Sequence, residues 1–93
     1  MRTKEAIENE LVRHRAHQSH SWNQKQAECE IVQGALLWAS VNYDQVAIQG
    51  RITALEAQYK GTTTPYSEKW KIPILVRWFK WCLQKPRSKT LNG

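Results

Sequence analysis

Ninety-three residues, 41% of them hydrophobic and 24% charged, make one small globular domain with a modest core and leave no room for a second domain. No apolar run is long enough to cross a bilayer and no apolar signal-peptide core follows the charged N-terminus, so the chain is read as cytoplasmic. The net charge of +6 is uneven: residues 1–59 hold six Lys/Arg against seven Asp/Glu, whereas residues 60–93 hold eight against one, which implies an anionic partner for the C-terminal third.

The chain reads as all-α, a small helical domain with a near-neutral scaffold over 1–60. Thr3 can cap a first helix, with Glu5 and Glu8 in its first turns where the helix dipole favours acids. Ala6, Ile7, Leu11 and Val12 form its narrow apolar stripe, and it is expected to fray near Arg15 to Gln18. Ser21 with Gln24 has the spacing of a capping box, so a second helix is expected from Trp22.

From Gln24 to Tyr59 there is no Pro, and a heptad frame places Ile31, Trp38, Gln45, Ile52, Tyr59 and Gly34, Val41, Ile48, Leu55 on one seam. Two forms stay open. One is a single long central helix, and the other is a helical hairpin broken at Ser40 to Asp44, with Asn42 capping the second half. Gly34 and Gly50 inside this stretch each cost about 1 kcal/mol against Ala; Gly50 has Ala47, Ala54 and Ala57 at helical spacings, so either a close backbone approach along that face offsets the cost or these are tolerated surface glycines.

Lys60-Gly61 ends the helix, with Gly available for a left-handed cap. Residues 61–66 form a Thr-rich loop, and Pro65 can start a short helical turn through Tyr66 to Lys71. A basic aromatic helix region covers 67–85, its final helix running from about Pro73 to Gln84, and 86–93 is a basic tail expected to be mobile. In the stretch WKIPILVRWFKWCL, Arg77, Lys80 and Gln84 share a narrow arc of the helix and apolar residues fill the rest. That face is too wide for one neighbour. The segment is either sandwiched in the fold or leaves Trp-rich surface for a partner.

Little in the chain points to catalysis or metal. His14, His17 and His20 are spaced three and three with Cys29 as a further ligand, but zinc sites take tighter local pairs, so no metal or cofactor is expected. Cys29 and Cys82, 53 positions apart, are read as reduced thiols that pack like small hydrophobes. The eight acids are scattered over helix surfaces, and there is no nucleophile elbow or Gly-rich phosphate loop; the chain is read as not an enzyme. Binding remains. Trp70, Lys71, Arg77, Trp78, Lys80, Trp81, Lys85 and Arg87 are the candidate contact residues, as a Trp/Arg hot spot for a protein or a stacking surface for nonspecific nucleic acid. Pro65 in its Thr-rich loop is a candidate contact for a host prolyl isomerase, because X-Pro bonds in flexible segments exchange between isomers.

The Thr62-Thr63-Thr64-Pro65 loop followed by WKIPILVRWFKW resembles the small phage-encoded proteins that rewire host machinery, most nearly the lambdoid-phage anti-RecBCD proteins. The resemblance implies a protein without enzymatic activity, a host DNA-repair nuclease as partner and an effect on recombination. Anti-CRISPR proteins and plasmid accessory factors share the same small, basic, helical character.

Overall fold

A computed structural model of the chain describes residues 1–17 and 23–84. Its helices are α1 (Lys4–Ala16), α2 (Gln24–Val41), α3 (Gln45–Lys60), the single turn α4 (Tyr66–Lys69) and α5 (Lys71–Leu83), and there is no strand among the described residues. The expected tail over 86–93, with Lys85 and Arg87, lies outside the described residues, as do Trp22, Ser21 and His20.

Local chemistry accounts for most helix ends. Thr3 accepts a hydrogen bond from the Ala6 amide at 3.1 Å through its hydroxyl, and Arg13, His14 and Arg15 sit in the last turn of α1, where the dipole favours cations. The cap of α2 is Asn23, whose side-chain oxygen accepts from the Gln26 amide at 2.8 Å, so this helix begins at Gln24. Gly61 stops α3 with its amide donating to Ala57 and Gln58 carbonyls. Its φ of −77° is extended rather than the expected left-handed cap. Pro73 is the third residue of α5 rather than its start; the first four amides of a helix have no partner within it, so the missing N–H is tolerated.

The long central segment is broken, at the suspected place. Asn42 caps the end of α2 by donating its amide and its side-chain nitrogen to the Trp38 carbonyl, at 2.8 and 3.1 Å. Asp44, not Asn42, caps α3 by accepting from the Ala47 amide at 2.9 Å. Short polar side chains thus offer the backbone a local alternative to helix. The two halves do not form a hairpin, however. α2 and α3 scarcely touch; each packs against α5, and α1 packs against α2.

The break also corrects the heptad frame. In α3 the frame holds, with Ile48, Ile52 and Leu55 buried. In α2 the buried face is Val32, Ala35, Leu36 and Ala39, while Gly34 is exposed and Val41 is 73% exposed. Three non-helical residues reset the helical phase, so no single frame can describe both halves. The expected close approach at the glycines is also absent: a Cβ on Gly34 or Gly50 meets nothing within 4 Å.

α5 is therefore the central element. Ile72, Phe79 and Cys82 are buried, and Ile74, Leu75, Val76, Trp78, Trp81 and Leu83 pack partly buried around the same core. Its wide apolar face has neighbours on two sides, which is the sandwiched alternative. The N-terminus, which the sequence reading left without a role, closes its far end: the Arg2 amide donates to the Cys82 carbonyl at 2.9 Å and Arg2 Nε to the Trp81 carbonyl at 3.0 Å. Both carbonyls lie in the last turn of the helix, where a cation is favoured, and the Trp81 carbonyl also accepts from the Gln84 amide at 3.2 Å. Tyr43, in the α2–α3 corner, donates its hydroxyl to the Arg2 carbonyl at 2.6 Å and holds the clamp in place.

Candidate functional site

The structure separates the candidate contact residues into two groups. Trp78 and Trp81, 5.4 Å apart, belong to the packed end of α5. The Trp78 ring meets the His14 ring edge-on at 5.1 Å, and the Arg2 guanidinium lies 4.1 Å from the centre of the Trp81 ring. Both are half-buried, and with Arg77 and Gln84 they line a groove of about 310 Å³, so part of their surface is packed in the fold and part stays open. The Trp78 indole N–H is buried without a hydrogen-bond partner among the described residues.

The cations on α5 differ in how far they are engaged. Lys80 faces Glu56 of α3 at 3.6 Å, and Lys71 pairs with Glu68 at 2.7 Å. Arg77 is exposed, with its guanidinium 5.9 Å from the Trp78 ring centre. These ion pairs are exposed and contribute little to stability, yet they do neutralise part of the basic character expected of this helix.

Trp70 belongs to a second group. It sits between α4 and α5, 40% exposed, with Lys71 Nζ 5.9 Å from its ring. Tyr66 of α4 is 92% exposed and Tyr59, in the last turns of α3, is 47% exposed. Tyr59, Tyr66, Ser67, Lys69 and Trp70 line one groove, and Glu56, Tyr59, Lys60, Ile72, Pro73 and Val76 line a second that shares Tyr59. Lys69 donates to the Gly61 carbonyl at 2.8 Å, tying the start of the Thr-rich loop to α4. Pro65 is exposed at the head of α4, its carbonyl accepting from the Glu68 amide at 2.9 Å.

Sequence reasoning missed both tyrosines. Tyr59 stands on the heptad seam, but the frame overruns the point where α3 leaves the core. Tyr66 has a usable signal, since an aromatic residue directly after an exposed loop proline has no helix face to bury it.

The histidines and Cys29 come together only in part. His14, His17, Glu28 and Cys29 border one groove between α1, α2 and α5, with Lys25 and Arg77 at its edge. His14 Nε2 lies 3.2 Å from Glu10, without hydrogen-bond alignment, while Cys29 donates to the His14 carbonyl at 3.3 Å and accepts from Gln33 at 3.4 Å. No group of three His, Cys, Asp or Glu side chains among the described residues is arranged to hold a metal ion. Cys82 is fully buried, and loss of solvent pushes its thiol pKa up to about 11. No helix among the described residues is long and apolar enough to cross a membrane.

No protein family, curated protein or solved structure matches this chain.

Proposed function

We propose that the protein is a non-enzymatic adaptor or inhibitor that binds a partner protein through the surface around Tyr59, Tyr66 and Trp70. The observation that carries this reading is the clustering of three exposed aromatic side chains beside an apolar groove in a domain with a small core. Large aromatic side chains left in contact with water mark binding surfaces, and Tyr and Trp dominate their energetics. The resemblance of the loop and the basic Trp run to phage modulators makes a host complex the partner class, with the RecBCD repair nuclease first among candidates. Exposed Pro65 adds a host prolyl isomerase as a second candidate partner.

The test is capture from a nuclease-treated lysate by the immobilised full chain. Retention of one dominant host protein through moderate salt, lost with Trp70→Ala, is the expected result. Retention of RecBCD subunits identifies the first candidate, and loss of a retained isomerase with Pro65→Ala identifies the second.

One observation favours a nucleic-acid reading: Lys60, Lys69 and Lys71 stand among the same aromatics, an arrangement suited to base stacking beside phosphates. Salt-sensitive retention of DNA with no retained protein replaces the adaptor with this alternative, because each phosphate contact releases counterions.

A further inference from the structure

The two grooves that share Tyr59 have a chemistry that narrows the partner. The groove of about 240 Å³ between α3 and α5 is walled by Ile72, Pro73 and Val76, aliphatic surfaces that suit a pyrrolidine or branched side chain. The adjoining groove of about 320 Å³ is bounded by Tyr59, Tyr66 and Trp70, with Ser67 between them. Among the described residues, the hydroxyls of Tyr59, Tyr66 and Ser67 make no hydrogen bond within the chain. The surface therefore combines aromatic walls with several uncommitted donors.

We infer that this double groove binds a proline-bearing, acidic segment of the partner protein in the polyproline II conformation. Such a segment has no internal hydrogen bonds, so all its carbonyls are free to accept from a surface rich in hydroxyl and indole donors. Proline rings pack between aromatic side chains, and the preformed extended helix loses little entropy on docking. Charge sets the flanks. Glu68 is paired with Lys71 and Glu56 with Lys80, so among the described residues Lys60 and Lys69 at the rim have no carboxylate partner, Lys69 donating only to the Gly61 carbonyl. A segment with Asp or Glu beside its prolines complements them. The aliphatic groove gives a nucleic-acid strand no stacking face, so a base can stack only in the groove of Tyr59, Tyr66 and Trp70.

This inference rests on the adaptor reading and narrows it to one class of partner sequence. The test uses the purified full chain with isotope-labelled Trp and Val, titrated with the end-blocked hexapeptide Glu-Pro-Pro-Leu-Pro-Glu. Parallel titrations use the same peptide with Ala in place of every Pro, and a short oligothymidylate. The proline peptide is expected to shift the Trp70 indole and Val76 methyl signals saturably, while the Trp78 and Trp81 indoles stay put. Tyr59→Ala and Trp70→Ala, each confirmed as folded by circular dichroism, are expected to weaken binding by about tenfold or more, as loss of a hot-spot aromatic does. Lys60→Glu and Lys69→Glu are expected to weaken it less and to reduce its salt dependence. Equal binding of the Ala peptide, tighter binding of oligothymidylate at the same signals, or no saturable shift overturns the inference. Capture of a host protein that still depends on Trp70 then leaves the adaptor reading standing, whereas loss of that capture removes both.

Discussion

At the C-terminal end of α5, Trp78 and Trp81 meet at a tilted angle, with His14 edge-on to Trp78 and Arg2 over Trp81. At its N-terminal end Trp70 stands with Tyr59 and Tyr66 on open surface, beside a groove walled by Ile72, Pro73 and Val76. The same residue types, separated by two turns of one helix, serve packing at one end and remain available at the other. What differs is the neighbours. The chain's N-terminus folds onto the C-terminal end, whereas a Thr-rich loop and a single helical turn flank the N-terminal end and leave its aromatics uncovered. An aromatic run is thus a statement about buried area still to be found, and topology decides which of its members find it within the chain.

The sharpest way to break this contrast is to remove packing from the structural end. Phe79 is 2% exposed and meets Trp38 edge-on at 5.5 Å. Phe79→Ala is expected to lower stability by about 3–5 kcal/mol, a large part of the total for a domain of this size, measured by urea unfolding. A loss below 1 kcal/mol would place the core elsewhere.

Alkaline pH acts on the same end. The buried Cys82 thiol titrates at about 11 instead of the ordinary 9.0, so the folded chain holds its proton where the unfolded chain releases it. Its contribution is complete below pH 9 and is lost as pH rises from 9 to about 11, a fall of about 3 kcal/mol. Cys82→Ala, compared with wild type across that range, is expected to flatten this part of the pH profile. In native protein at neutral pH, Cys29, half-buried, is expected to react with iodoacetamide while Cys82 does not.

The clamp comes next in size. Arg2→Ala removes a charged hydrogen bond to a helix C-terminus and a cation over the Trp81 ring, and is expected to lower stability by about 2 kcal/mol. Arg2→Lys keeps the charge but not the Nε bond, so it is expected to recover only part of that loss. The smallest effect is a gain: Gly50→Ala, where a Cβ enters open space, is expected to add about 1 kcal/mol. No gain there means that the helix tolerates Gly for a reason other than space.

The helical class, the Thr3 cap, the stop at Gly61 and the weak point between Ser40 and Asp44 were legible because each depends on neighbours within a few residues. The phase of α2 was not. Its buried face uses Ala35 and Ala39, which carry a faint hydrophobic signal, while the larger Ile31 and Val41 pulled the frame off by a residue. The use of α5 on two sides was legible as an excess of apolar surface, but which elements cover it depends on contacts between residues far apart in sequence. Arg2 on Trp81 spans nearly the whole chain, and no local pattern marks it. For the same reason composition alone does not separate Trp78 and Trp81, which pack against His14 and Arg2, from the more exposed Trp70. Tyr59 and Tyr66 went unnoticed because exposure, unlike helix formation, is not a local property.

The division of α5 into a structural end and a binding end is tested most directly by one paired measurement, the unfolding free energy and partner capture of Trp70→Ala against Trp81→Ala. Trp70→Ala is expected to keep wild-type stability within about 1 kcal/mol while losing capture. Trp81→Ala is expected to lose about 3 kcal/mol or more while its folded fraction still captures the partner. Capture that survives Trp70→Ala and disappears from fully folded Trp81→Ala would contradict the account and move the binding surface to the other end of the helix.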